Sequence, residues 1–98
     1  MRAVLANLQR RMTQTFASGK REEALELGKR LFTITENELG SRHTEHLEIA
    51  NCYANVLMSC ERFKEAETIL EENVKKYTEV LGREHTGTVT SMILLGKV

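Results

Sequence analysis

The amino-acid sequence predicts an all-α protein, an α-solenoid of antiparallel helix hairpins, from three observations. The motif Leu-Gly-x-x-His-Thr at positions 39–44 recurs 42 residues later, at positions 81–86. Between the two copies, apolar residues recur every three or four positions, which is the spacing of an amphipathic helix. The 98-residue chain contains no proline, and all its acidic residues are Glu, a composition that favours helix. A repeat of this period indicates supersecondary units that bury their apolar faces against each other.

The apolar spacing divides the chain into five helices, in which first and second helices alternate. Their expected bounds are 2–17, 20–39, 44–60, 63–81 and 86–98. Thr44 is a suitable N-cap for the third helix, and Gly40 and Gly82 are expected to be left-handed C-caps. The small residues Ala24 and Ala66 recur where the two helices of a hairpin must approach closely. We therefore expect a single domain of about two and a half repeats, with units at about 1–40 and 41–82 and a partial unit at 83–98.

Charge and cysteine content limit the class of protein. The net charge is zero, which gives no sign of a nucleic-acid partner, and no stretch approaches the ~20 apolar residues of a membrane span. Residues 1–21 carry five basic and no acidic residues, so a mitochondrial transit peptide is an alternative to the favoured interpretation as the first helix of the array. Cys52 and Cys60 lie ~12 Å apart along one helix, too far for a disulfide, which favours the cytoplasm.

The sequence contains no motif that indicates a catalytic or metal-binding site. His43, His46 and His85 lack the His-Glu-x-x-His order of a helical zinc site, and His43 and His85 are better interpreted as hydrogen-bonding turn residues. There is no phosphate-binding loop and no nucleophile elbow. The basic residues Arg2, Arg10 and Arg11 are more simply a solvated helix face than an anion site. The sequence therefore predicts no enzyme, no cofactor and no metal.

The repeated segments resemble a known family. The motif at 39–44, followed by Asn-x-Tyr-Ala-x-x-Leu at 51–57 and Phe-Lys-Glu-Ala-Glu at 63–67, resembles a tetratricopeptide repeat of the kinesin-light-chain-like type. That type has a 42-residue period and a long second helix, and residues 81–92 are similar to its linker and next helix. Thr44 and Thr86 stand where the family usually has Pro, Glu61 replaces a turn Gly, and Asn73 replaces a small residue.

The resemblance implies a concave groove, lined by the first helices, that binds extended or helical peptide segments of partner proteins. In the second unit, Asn51, Asn55 and Met58 are the expected groove residues, because amides suit a peptide backbone and Met is adaptable. The 42-residue shift adds positions in the other two first helices: Gln9, Thr13, Ile93 and Lys97.

The fifth helix, 86–98, is apolar on nearly every side, whereas a terminal repeat needs a polar outer face. The favoured interpretation is that the chain is a fragment of a longer repeat array. Homodimerisation through this helix is the main alternative. An accessory repeat region of a larger enzyme is a third hypothesis.

Overall fold

The computed structural model describes residues 2–98, with side chains from residue 6 onward. The described chain consists of five α-helices, without strands, as predicted for an all-α repeat fold. The helices are α1 (Arg2–Ala17), α2 (Arg21–Leu39), α3 (Thr44–Ser59), α4 (Phe63–Leu81) and α5 (Thr86–Lys97).

Each helix packs on its neighbours in the chain. Each second helix packs against two first helices: α2 packs on α1 and α3, and α4 packs on α3 and α5. The first helices α3 and α5 also touch each other directly. Ala24 and Ala66, the small residues that recur at the same place in the two hairpins, are both completely buried.

Among the side chains from residue 6 onward, the core consists of two apolar clusters, one beneath each hairpin. The first cluster joins α1, α2 and α3 around the fully buried Leu31, and it includes Met12 from α1. The second joins α3 and α4 around Leu57 and Leu70. Burial of a large aliphatic side chain contributes roughly 1.5–3 kcal/mol. These clusters therefore hold α3 as the central helix of the array.

The linkers after α2 and α4 depend on glycine, but not in the conformation that the sequence suggests. Gly40 has φ 95° and ψ 154°, and Gly82 has φ 88° and ψ 164°. Both φ values are positive, yet ψ is extended, so neither residue is in the left-handed helical conformation of the expected C-cap. This region of φ/ψ space is essentially restricted to glycine, which explains why both linkers carry it.

The caps of α3 and α5 are the linker histidines rather than the threonines. His43 Nδ1 accepts a hydrogen bond from the backbone N–H of Glu45 at 3.1 Å, and His85 Nδ1 accepts one from Gly87 at 3.0 Å. Thr44 is already the first helical residue, so the prediction that it is the N-cap is wrong. The interpretation of the two histidines as hydrogen-bonding turn residues is confirmed.

Glu61 occupies a turn position that suits glycine. It has φ 62°, whereas Gly19, the residue 42 positions earlier, has φ 84° in the turn of the first hairpin. A side chain in the left-handed region costs roughly 1–2 kcal/mol. The departure from the family pattern at position 61 is therefore a site of backbone strain.

We expect Glu61→Gly to raise the free energy of unfolding by roughly 0.5–1 kcal/mol, because relief of the strain exceeds the entropic cost of glycine. Urea denaturation followed by circular dichroism measures the change. Glu67→Gly, on the exposed side of α4, is the matched control and should lower stability by about 1 kcal/mol. A loss of stability in both variants would contradict the assignment of strain.

Candidate functional site

The first helices expose a stripe of side chains that we call the first-helix face. On α3 it consists of residues spaced by three and four, so that they lie along one side of the helix. The same positions on α1 and α5 are also exposed or half-buried. The residues of the face are Ala6, Arg10, Thr13 and Ala17 on α1, Glu48, Cys52, Asn55 and Ser59 on α3, and Thr90, Leu94 and Lys97 on α5.

Three of the groove residues expected from the sequence lie on this face. Thr13, Asn55 and Lys97 are exposed and occupy equivalent positions in successive first helices. Gln9 is half-buried beside the face. Met58 is half-buried and packs against the second core cluster, so its thioether stabilises the hairpin.

Asn51 does not lie on the first-helix face. Its side chain is buried, with 7% of its surface exposed. Its Nδ2 donates to the carbonyl of Gly87 at 3.3 Å, and its Oδ1 accepts from Asn73 Nδ2 at 2.7 Å and from Ser91 Oγ at 2.6 Å. The prediction that the Asn51 amide is offered to a bound peptide is therefore wrong, because the amide is already engaged inside the protein.

The hydrogen bonds of Asn51 form a polar junction between α3, α4 and α5. Asn73, on α4, also donates to the carbonyl of Leu47 at 2.9 Å, which fixes α4 against α3 a second time. The positions of Asn73 and Ser91 are occupied one unit earlier by Leu31 and Ile49, both buried in the apolar core. The junction is thus specific to the contact of α3, α4 and α5.

The groove residues expected from the sequence do not include Glu48 and Cys52, nor Arg10, which the charge pattern assigns to a solvated helix face. Steps of three and four back from Asn55 lead to Cys52 and Glu48, a signal that was available in the sequence. Burial, and then the nearby Glu48 carboxylate, raise the pKa of the Cys52 thiol. Since the thiolate is the reactive form, Cys52 is suited to an apolar contact and not to nucleophilic chemistry.

The basic residues near the N-terminus do not form an isolated anion site. Arg11 lines a shallow cleft of about 200 Å³ between α1 and α2 together with the acidic Glu23 and Glu26. Arg10 lies on the first-helix face, and the side chain of Arg2 lies outside the described residues. Throughout the described side chains, no group of three or more His, Cys, Asp or Glu residues is arranged to hold a metal ion.

His46 is a buried polar residue at the contact between α2 and α3. Its Nδ1 lies 2.8 Å from the hydroxyl of Thr35, and its ring is tilted against Phe32 with the centroids 4.8 Å apart. Burial lowers the pKa of His46, the Glu36 carboxylate opposes this effect, and the nearby Lys76 and His43 act in the same direction as burial. The neutral imidazole is therefore the form that the fold favours.

The equivalent place in the next unit is filled by different side chains. Position 77 corresponds to Thr35 and carries a fully buried Tyr, and position 88 corresponds to His46 and carries Thr. The Tyr77 ring lies so close to Gly87 that a Cβ atom there would overlap it. The Tyr77 hydroxyl has no hydrogen-bond partner in the described part of the chain, and burial raises its pKa to about 12.

Alternating helices with a shared exposed face define the class of helical-repeat proteins. The family model described as "Tetratricopeptide repeat" matches residues 45–98, more than half of the chain. The chain belongs to the tetratricopeptide repeat family, a non-catalytic module that generally mediates protein–protein interaction. A comparison with curated proteins gave no match. Among the described helices, none has the combination of length and apolarity needed to cross a membrane.

We expect acidification to weaken the α2–α3 contact through His46. Because its folded-state pKa is lowered from 6.5, its stabilising contribution is present above that value and is lost as the pH falls below it. Urea midpoints at about pH 7.5 and about pH 5.5 measure this loss. His46→Asn keeps a donor for Thr35 without a titrating ring, so it should lose less stability than the wild type. His85→Asn, at an exposed cap, is the control and should lose as much stability on acidification as the wild type. An equal loss of stability in the wild type and His46→Asn would contradict the assignment.

Proposed function

We propose that the chain binds a peptide segment of a partner protein across the first-helix face. The observation that carries this proposal is the register of the exposed residues: Thr13, Asn55 and Lys97 stand at the same position of three successive first helices. A segment that crosses the helices meets one of these side chains on each. Their polar groups can pair with a peptide backbone or with polar side chains.

The chemistry of the face favours a partner segment of mixed charge. Arg10 on α1, Glu48 on α3 and Lys97 on α5 give an alternation of positive, negative and positive charge. Cys52 and Leu94 add small apolar contacts, and both are half-buried. Because exposed ion pairs contribute only about 0–1 kcal/mol each, such a site has modest affinity and gains selectivity from the order of charges.

The finer classification as a kinesin-light-chain-like repeat is also part of this proposal. It is supported by the helix lengths, since α1 and α3 have 16 residues and α2 and α4 have 19. The longer second helix is the feature that the resemblance implies. The proposed units remain 1–40, 41–82 and 83–98, and the unpaired thiols of Cys52 and Cys60 support a reducing, cytoplasmic setting.

A second candidate function, self-association through α5, is supported by exposed apolar residues. Val89, Met92 and Ile93 are 41%, 38% and 55% exposed. The positions 42 residues earlier, Leu47, Ala50 and Asn51, are buried. Val89, Met92 and Ile93 thus stand at positions that are buried in the preceding first helix, α3, but exposed in α5.

A second copy of the chain is the occupant that we propose for α5. Lys97 is the charged residue of this helix, which has no acidic one. An antiparallel pair of α5 helices around a twofold axis places the two Lys97 side chains at opposite ends, without repulsion. Gly96 permits close approach of the two backbones, since nothing lies within 4 Å of its Cβ position.

Peptides selected from a random display library for binding to the wild-type chain should lose affinity in Asn55→Ala. We expect a loss of about tenfold, because one or two polar hydrogen bonds of ~1 kcal/mol each disappear. Fluorescence polarisation with labelled peptides measures the dissociation constants. Asn37→Ala, an exposed Asn on α2, is the matched control. Equal affinities of all three proteins for every selected peptide would place binding elsewhere.

Light scattering over a concentration series tests self-association. The wild-type mass should rise from monomer to dimer, and Ile93→Glu should remain a monomer because a carboxylate would be buried at the pair. Thr33→Glu, on the exposed side of α2, is the control and should dimerise like the wild type. A wild-type mass that stays monomeric at millimolar concentration would exclude the dimer.

A further inference from the structure

A cleft lies between the second helices α2 and α4, on the side of α3 that is opposite the first-helix face. It has a volume of about 100 Å³, and its apolar lining comes from Phe32 on α2, Ala50 on α3 and Ile69 on α4. Ala50 is two residues from Glu48, and at about 100° per residue the two side chains point to nearly opposite sides of α3. This second-helix cleft is therefore separate from the first-helix face.

Two buried polar side chains, His46 and Asn73, also line the cleft. Their exposed fractions are 2% and 3%. Asn73 Nδ2 donates both of its hydrogens, to the carbonyl of Leu47 and to Oδ1 of Asn51, which leaves Asn73 Oδ1 without a hydrogen-bond partner among the described residues. His46 Nδ1 is hydrogen-bonded to Thr35, and His46 Nε2 likewise has no hydrogen-bond partner among the described residues.

Neither unpaired atom is fully enclosed. In the described part of the chain, the Tyr77 hydroxyl is the polar side-chain group that is both fully enclosed and without a hydrogen-bond partner. Asn73 Oδ1 and His46 Nε2 are not enclosed in this way, so each keeps a small accessible surface. The cleft is the opening that both residues line.

Both atoms are hydrogen-bond acceptors. The Thr35 hydroxyl has one hydrogen and lies 2.8 Å from the carbonyl oxygen of Leu31, which can only accept. When Thr35 donates to Leu31, the Nδ1–H of His46 donates to Thr35, and both short contacts are satisfied. In this tautomer Nε2 carries a lone pair. The cleft therefore presents two acceptors and, at these atoms, no donor.

The rim of the cleft disfavours a charged ligand. Lys76 Nζ lies 3.4 Å from a carboxylate oxygen of Glu72, and the Lys76 side chain is only 22% exposed. A ligand ammonium would be placed near this half-buried cation, and a carboxylate would be placed against two acceptors. A neutral group with two N–H donors avoids both costs.

We propose that the second-helix cleft binds the carboxamide of a Gln or Asn side chain on a partner peptide. The NH₂ group of a carboxamide supplies one hydrogen to each acceptor, and its stem contacts Phe32, Ala50 and Ile69. One water needs roughly 10–15 Å³ of cavity space, so a cleft of about 100 Å³ has room for the three heavy atoms of one carboxamide. This contact point does not depend on binding at the first-helix face.

Titrations followed by NMR of the His46 ring nitrogens and the Asn73 side-chain amide test the chemistry of the cleft. The probes are propionamide, propionate and 1-propylamine. Propionamide should shift the His46 Nε2 resonance saturably, whereas the two charged probes should shift it at least tenfold more weakly. Equal shifts with all three probes would mean that the cleft does not select a carboxamide. No shift with any probe would mean that the cleft holds only water. Either result would overturn the proposal.

Blocking the mouth of the cleft gives an independent test. Thr68 lines the rim, is exposed, and uses its hydroxyl only within α4, in a bond to the carbonyl of Lys64. Thr68→Phe should weaken propionamide binding at least tenfold, with an unchanged circular dichroism spectrum. Thr90→Phe, on α5, is the control and should bind like the wild type. Undiminished binding by Thr68→Phe would contradict the site.

The source of the carboxamide is tested with peptides and wild-type protein, so this test does not depend on the folding of any variant. The pentapeptide Ala-Ala-Gln-Ala-Ala should compete with propionamide for the His46 signal. The matched peptide Ala-Ala-Glu-Ala-Ala should compete at least tenfold less. If the Gln peptide does not compete while propionamide binds, the cleft takes a free small amide and the proposal of a peptide side chain is wrong.

Discussion

The side chain of Asn51 joins three helices through one buried carboxamide. Its oxygen accepts from Asn73 on α4 and from Ser91 on α5, and its nitrogen donates to the Gly87 carbonyl at the start of α5. A buried polar group that loses its partner costs roughly 1–3 kcal/mol. Apolar packing alone tolerates small shifts of one helix along another. The junction at Asn51 allows one register, because a shift of α5 leaves the amide unpaired.

This junction also determines what the two surfaces of the array offer. Because Asn51 points into the protein, the exposed polar residue of α3 at this level is Asn55, and the first-helix face continues through Cys52 to Glu48. On the opposite side, the junction takes both amide hydrogens of Asn73 and leaves its oxygen at the second-helix cleft. One hydrogen-bond network thus shapes both faces of α3.

Much of the fold follows from the sequence because its signals are local. The spacing of apolar residues and the glycines at 40 and 82 identify the helices and linkers to within one residue. The placement of Asn51 does not follow from local signals. A step of four residues turns the helix by about 400°, so Asn51 and Asn55 differ by about 40° around the axis and fall on either side of the burial boundary. The burial of Asn51 depends on Ser91, a partner 40 residues away.

The two contacts between successive units fill the same place with different pairs of side chains. Between α2 and α3, a small Thr35 meets a large His46. Between α4 and α5, the large Tyr77 packs against Gly87, and Thr88 stands at the position that corresponds to His46. The large residue is thus on the first helix α3 at one contact and on the second helix α4 at the other. Recombination that duplicated one hairpin, or a consensus design that averaged the two units, would combine two large residues or two small ones. A copied unit could therefore join this array only if both positions changed together. This requirement keeps the units distinct and fixes their order along the chain.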